Sequence, residues 1–412
     1  MQTLWEQRYA QRTQRMTSSA IRDLLKLGGR RDVISFAGGM PATDSFPLNE
    51  FQEAMNHVMA QMDGTAFQYH ATEGYLPLRE MIVRHTARYG LYLTPDNLLI
   101  TSGSQQGLDL IGRIFINRGD RILVEEPTYL GALQAWHAYG AEFVTVPIDQ
   151  DGMRMDILEA ALRTGPKFIY ALPNFQNPAG VTLSLERRSM MVDLANHYGV
   201  PIVEDDPYGQ LRYEGEHLPA ITVIDEHTRD DCDVCYRGNV IYLSTFSKLL
   251  APGLRVAWVV APPEVIHKLA MAKQGADLQT ATLNQMLVHE IAREGFLDQH
   301  IQKLRALYRE RRDAMLSAMD EHFPEAVHWT RPQGGLFLWA TLPEGIDAAV
   351  ILQLALQENV AFVPGTAFFA NGGGENTMRL NFSNAPPRQI FEGITRLGKV
   401  LEYALGEAVV MA

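Results

Sequence analysis

The stretch Ser244–Arg255, STFSKLLAPGLR, follows the apolar run Val240–Leu243 and places Lys248 just past the end of a buried-type strand. Lysine is seldom buried without a partner. Here Thr245 and Ser247 flank it with hydroxyls, and Gly253 and Arg255 follow. Apolar walls favour a neutral, nucleophilic amine, while hydroxyls and a guanidinium suit a phosphate. The segment therefore fits a Schiff-base lysine. Without its surroundings it fits a surface lysine after a strand equally well.

The next apolar run, Val256–Val260, begins about a dozen residues after Val240–Leu243, beyond Pro252 and Gly253. Parallel neighbours need a crossover of about that length, usually a helix, and Pro and Gly do not suit one. If the two runs are neighbours, they are antiparallel. Upstream, Leu98–Thr101, Arg121–Val124, Phe143–Val146, Phe168–Ala171 and Ile202–Glu204 are short apolar runs, many separated by helical stretches. This is the α/β pattern of a mixed, mostly parallel sheet covered on both faces, with one reversed strand. After about residue 280 the rhythm changes. A long helix, Phe296–Met319, precedes the hairpin-like HWTRPQGGLFLWATL, a helix at Ala348–Glu358, the short run Ala361–Val363, the strand-like TMRLNFS and a last helix, Arg388–Tyr403. That succession predicts a smaller α+β domain. The expected division is an N-terminal arm over 1–45, a large domain over 46–285 and a small domain over 286–412.

With 412 residues, 46% apolar and 20% charged, the chain has ordinary globular composition. A net charge of −12 argues against a nucleic-acid surface. The two cysteines, Cys232 and Cys235, exclude a disulfide-stapled scaffold, and their spacing supplies half of a four-thiolate zinc site with no nearby His pair, so no metal is expected. There is no long apolar run for a membrane span and no signal-peptide core, so a cytoplasmic location is expected. Ile21, Leu24, Leu25 and Leu27 recur at helical spacing and predict an amphipathic helical arm.

Other segments carry polar groups at strand ends. Asp205 and Tyr208 lie in IVEDDPYG, with Asp206 as the competing acid; Asn174 and Asn177 lie in NFQNPAG; Ser104 and Gln105 lie in SGSQQG, where a strand turns into a helix. Helix N-termini of the last kind bind anions. Taken singly these are a solvated strand end, a turn and an N-cap.

Together, and in this order, they resemble the fold-type-I, class I/II aminotransferases, whose cofactor-lysine segment, with hydroxyl residues before the lysine and G-x-R ending seven residues beyond it, resembles Ser244–Arg255. The resemblance runs from about residue 35 to 385. It implies the aspartate aminotransferase fold and pyridoxal 5′-phosphate held through Lys248. Asp205, three residues before Tyr208, faces the ring nitrogen and keeps it protonated. Tyr208 and Asn177 meet the ring 3′-oxygen, Tyr129 stacks on the ring, and Ser104, Gln105, Ser247 and Arg255 hold the phosphate. Tyr69 reaches the phosphate of a neighbouring subunit, so the active unit is a homodimer with shared sites. Arg379, in TMRLNFS, binds the substrate α-carboxylate, a task for which a guanidinium fork is suited; Asn174 is a further candidate there. Lys248 then moves the α-proton, and the fixed carboxylate selects transamination.

The segments SSAIRDLLK and ISFAGGMP are similar to the subgroup of 2-aminoadipate and kynurenine aminotransferases, in which Ser19 and Arg22 would meet the substrate side chain and Gly39 would let the backbone approach it. The expected reaction moves an amino group from an L-amino acid to a 2-oxo acid, 2-oxoglutarate being the expected acceptor, with 2-aminoadipate, aromatic or branched-chain donors. Alternatives on the same scaffold are a carbon–sulfur lyase, a catalytically idle homologue and a ligand-sensing regulator domain. The last carries a winged helix for which Phe36–Pro41 comes too early.

Overall fold

The computed structural model describes residues 3–16, 32–61, 64–228 and 235–411. An eight-stranded sheet forms its centre, in the order β2 (Leu98–Thr101), β9 (Ala257–Val260), β8 (Val240–Thr245), β7 (Ile202–Asp205), β6 (Ile169–Ala171), β3 (Arg121–Glu126), β4 (Glu142–Asp149) and β5 (Gly152–Met153). β9 runs antiparallel to both β2 and β8, as the Pro-Gly gap predicts. A second reversed strand, β5, hairpins back on β4; at two residues it is too short for a period-2 signal. The other strands run one way, so their carboxyl ends share one edge.

The apolar runs are continuous because both faces of the sheet are covered. Leu98, Ile100, Leu123, Ile169, Ile202 and Val240 pack into one core. Their neighbours Leu99, Val124, Tyr170, Val203, Leu243 and Val259 pack into another, against Leu108 and Ile111 of the helix Ser104–Phe115. Burying one such aliphatic side chain contributes about 1.5–3 kcal/mol.

The first core continues into a second sheet, antiparallel throughout, in the order β10 (His328–Trp329), β11 (Phe337–Thr341), β14 (Thr377–Asn381) and β13 (Val363–Pro364). The hairpin expected in HWTRPQGGLFLWATL is the β10–β11 pair. The helices Phe296–His322 and Pro387–Met411 belong to the same carboxy-terminal part. β1 (Ile34–Ser35) pairs in parallel with β12 (Val360–Ala361), tying the chain entry to this part. Ahead of it, the described residues hold short 3-10 turns at Trp5–Gln7 and Gln11–Arg15. The amphipathic arm expected around Ile21–Leu27, with Ser19 and Arg22, lies outside the described residues, as does Cys232. Among the described residues no helix is long and apolar enough to cross a membrane, and no group of three metal-ligating side chains stands together.

Candidate active site

Carboxyl ends of parallel strands are where α/β sheets bind ligands. Here they deliver five segments to one edge: Ser102–Ser104 after β2, Tyr129 after β3, Leu172–Asn177 after β6, Asp205–Tyr208 at the end of β7, and Ser247–Lys248 after β8. A cleft of about 260 Å³ lies there, lined also by Phe337 of β11 and Arg379 of β14. Of the residues expected from sequence, Gly39, Ser104, Gln105, Tyr129, Asn177, Asp205, Tyr208, Ser247, Lys248, Arg255 and Arg379 all line it.

Lys248 Nζ donates to the Gly39 carbonyl at 2.7 Å. Burial pushes the ammonium down to about 8, and Arg379 and Arg255 add to the effect. The amine is thereby brought towards its nucleophilic form near neutral pH.

The acidic doublet is resolved by direction. Asp206 turns away, accepting from the Asn174 amide at 2.9 Å and the Gly209 N–H at 2.8 Å. Asp205 turns into the cleft and is 2% exposed. Burial pushes its carboxyl up to about 7, against a hydrogen bond from Tyr170. That hydroxyl donates to Oδ2 at 2.8 Å, while Oδ1 has no partner.

Asn174 stands apart from the other expected residues. It does not line the cleft: its amide is spent on Asp206, and its oxygen accepts from Arg188 at 2.7 Å. Three residues on, Asn177 does face the cleft, and its oxygen accepts from Arg379 Nη1 at 2.8 Å. Arg379 also donates through Nη2 to the Ala37 carbonyl at 2.8 Å. Its guanidinium carbon stands 4.3 Å from the Phe337 ring centre and 4.9 Å from that of Phe368. Arg379 is on an interior strand and 1% exposed, so a surface arginine is excluded. Burial pushes it down to about 10, which leaves it charged at neutral pH.

At the other end of the cleft, Gly103 adopts φ 83° and ψ 159°, where a side chain would collide with Arg255 Nη2. The backbone thus passes under the guanidinium, which lies against the start of the helix Ser104–Phe115. Thr245 Oγ1 accepts from the Ser247 N–H at 3.0 Å and fixes the turn that carries Lys248. Tyr129 leans over Gly131, where an added Cβ would meet its ring at 2.5 Å. Burial raises both cleft phenols, Tyr129 to about 12 and Tyr208 further. Both are therefore hydrogen-bond donors at neutral pH. Tyr69 lies outside the cleft with 77% of its surface exposed.

Tyr170 and Phe337 were not foreseen. Tyr170 sits inside an apolar strand and Phe337 inside an apolar hairpin strand, so their sequence signal is that of core residues.

Three buried polar atoms of cleft residues lack a partner: Asp205 Oδ1, Ser104 Oγ and Arg379 Nε. Buried polar groups usually find a partner, and although others in the chain also lack one, these three converge on a single cleft, where a ligand can supply it. An acceptor for a ring N–H, a hydroxyl at a helix N-terminus beside an arginine, and a guanidinium edge are the donor set that a pyridinium, a phosphate and a carboxylate need. The residues present fit pyridoxal phosphate.

Relatives agree along the whole chain. Aromatic-amino-acid aminotransferase 1 of Thermococcus litoralis is 46% identical over 405 residues, 97% of this chain and 95% of that protein. LysN, the alpha-aminoadipate aminotransferase of Thermus thermophilus, was crystallised with N-(5′-phosphopyridoxyl)-L-leucine; it superposes with a TM-score of 0.91 at 43% identity, over 98% of this chain and 100% of that one. Pyrococcus horikoshii kynurenine aminotransferase, in complex with PMP, KYN and KYA, gives a TM-score of 0.91 at 43% identity and covers 98% of each chain. Residues 31–397 match the family model of aminotransferase class I and II, so the orphaned polar atoms of this cleft belong to a member of that family of aminotransferases, whose cofactor is pyridoxal phosphate.

Proposed function

We propose that the chain moves the amino group of an L-amino acid to 2-oxoglutarate, accepting acidic and aromatic donors. The observation that carries this reading is the convergence of Lys248, Asp205 and Arg379 on one cleft, with Asp205 Oδ1 and Arg379 Nε left without partners there. The relatives' names extend the donor range to aromatic amino acids, aminoadipate and kynurenine.

Pyridoxal phosphate, when bound, supplies an electron sink for the pair left behind as the substrate Cα–H bond breaks. In this reading the chain's own residues do the rest. Arg379 fixes the substrate carboxylate through Nε and a free Nη proton, and its contacts to Asn177, Ala37 and two rings leave it little freedom to move. Lys248 Nζ, with its pKa lowered to about 8, takes the Cα proton and holds it for return. Asp205 Oδ1, which lacks a partner in the chain, would hold a proton on the ring nitrogen. Asn177 and Tyr208 would donate to the ring hydroxyl oxygen, Tyr129 would pack on the ring, and Ser104, Gln105, Ser247 and Arg255 would hold the phosphate; all of them line the cleft. Gly39 keeps the substrate side of the cleft narrow, since a Cβ there would meet the Phe337 ring at 3.0 Å. Ser19 and Arg22 would meet the substrate side chain, a role that rests on the resemblance to the 2-aminoadipate and kynurenine aminotransferases.

The active unit in this proposal is a homodimer. Tyr69 is 77% exposed, and Phe67, two residues before it, is 66% exposed. Exposed large side chains so grouped suit an interface. The proposed division is an arm over 1–45, a large domain over 46–285 and a small one over 286–412, supported by the two sheets and the β1–β12 pair.

Steady-state formation of glutamate from 2-oxoglutarate, with 2-aminoadipate, kynurenine, phenylalanine, leucine and valine as donors, tests the reading. Glutamate formed in step with the donor's 2-oxo acid supports it. Turnover that ignores 2-oxoglutarate and releases ammonia or a thiol overturns it in favour of elimination.

A further inference from the structure

Asp205 and Tyr170 are brought together by strand register. β6 and β7 are parallel, with Tyr170 opposite Val203. Side chains two apart on a strand share a face, so Asp205 stands on the same face as Val203 and diagonally ahead of Tyr170. The Tyr170 hydroxyl closes that gap, donating to Asp205 Oδ2 at 2.8 Å. Tyr170 is fully buried, and Trp136 packs edge-on against its ring at 4.9 Å and 89°. The indole is itself pinned, its Nε1 donating to the Leu108 carbonyl at 2.8 Å. The phenol therefore has no room to turn to another acceptor. On the opposite side of Asp205, β8 offers Leu243, which donates nothing.

We propose that Tyr170 is a positioning residue for the cofactor: by holding Asp205 Oδ2 it keeps the carboxylate ionised and leaves Oδ1 as the acceptor for the ring nitrogen. The inference rests on the assignment of Asp205 to that nitrogen. The other charged or titratable groups facing Asp205 are Glu125 of β3, Tyr129 after it, Asp206 and Tyr208 from its own segment, and Lys248 and Arg379 across the cleft. Burial opposes its ionisation most, and Asp206 adds to that. Tyr170 is the group whose hydrogen bond works the other way.

The test uses holoenzyme equilibrated between about pH 5 and about pH 9 and then desalted, with retained cofactor read from the absorbance of the protein fraction. A lost hydrogen bond to a charged group is worth about one pKa unit or somewhat more. Tyr170→Phe is expected to move the acid midpoint of cofactor loss up by about one pH unit, with retention at the alkaline end equal to wild type. An unmoved midpoint, or a uniform loss at every pH, overturns the inference. Trp136→Phe keeps the hydroxyl while loosening its packing, and is expected to keep the wild-type midpoint even if its Tm falls. A shift as large as that of Tyr170→Phe would show that packing, not the hydroxyl, is responsible, and the inference would fail. Asp205→Asn separates the two claims. If it abolishes the acid limb while Tyr170→Phe leaves the midpoint in place, the Tyr170 inference alone falls. If Asp205→Asn leaves the limb unchanged, the assignment of Asp205 falls with it.

Discussion

Lys248 Nζ donates to the carbonyl oxygen of Gly39 at 2.7 Å, across 209 residues of chain. The amine comes from the turn after a central strand of the large sheet, and the carbonyl from the segment after β1, which pairs with β12. The cleft therefore exists only when these two parts of the chain are docked, and the amine is aimed at the substrate side of it.

Lys248→Ala removes the group assigned to cofactor attachment and proton transfer. General acid–base catalysis of this kind supplies about 100- to 10,000-fold. Donor-driven conversion of the bound cofactor, followed by stopped-flow absorbance, is expected to fall at least about 1,000-fold. Cofactor that stays covalently attached to the Ala variant after borohydride reduction and denaturation would show that another residue carries it.

Asp205 makes cofactor-free protein less stable. Its folded pKa, about 7, lies above the ordinary value of 3.8, so between these values the folded chain binds more protons than the unfolded one. Stability contributed by this group is thus lost as pH rises from about 4 to about 7, and the full penalty is present above that. Asp205→Asn is expected to stabilise the cofactor-free chain at about pH 8 by on the order of 2 kcal/mol, with the gain fading towards pH 4. Urea midpoints of both proteins at the two pH values check this.

Gly103→Ala puts a side chain where φ is 83° and ψ 159°, and where it would collide with Arg255 Nη2. Backbone strain of this type costs about 1–3 kcal/mol. The Arg255 guanidinium must also move off the turn. The expected result is a Tm loss together with at least about tenfold weaker cofactor binding by equilibrium dialysis, an effect of about 1.4 kcal/mol. Weaker folding with unchanged cofactor affinity would show that the turn does not hold the phosphate.

Arg379→Lys keeps the charge and loses the fork. The stacking on Phe337 and Phe368, and the bonds to Asn177 and Ala37, are lost with it. kcat/KM for all donors is expected to fall about 100-fold or more, a loss of about 3 kcal/mol in transition-state binding. A loss confined to one class of donor side chain would instead place Arg379 at the side-chain end of the site.

Much of this was legible in the sequence, for identifiable reasons. Each parallel strand announces itself as an apolar run, and the polar residue ending it projects from the same sheet edge. Lys248, Asp205 and Ser104 all stand where apolar runs stop, which marked their place on the sheet, while their roles were read from the resemblance to the aminotransferases. The antiparallel run of β9 was legible because Pro252 and Gly253 forbid a crossover helix. What depends on strand order and register was not. Tyr170 meets Asp205 only because β6 lies beside β7 with Tyr170 opposite Val203. Asn174 and Asn177 share one loop, and only its folded path turns the first towards Asp206 and Arg188 and the second towards Arg379. Phe337 reaches the cleft through the pairing of β11 with β14, which alternation of residues does not specify.

The most direct test of the central claim is a single-turnover measurement on the purified holoenzyme. Mixing with 2-aminoadipate, kynurenine or phenylalanine should replace the visible band of the bound aldehyde cofactor with the ultraviolet band of its amine form, and 2-oxoglutarate should restore it. A bound cofactor that no donor converts, or a converted one that no 2-oxo acid restores, would contradict transamination by this chain.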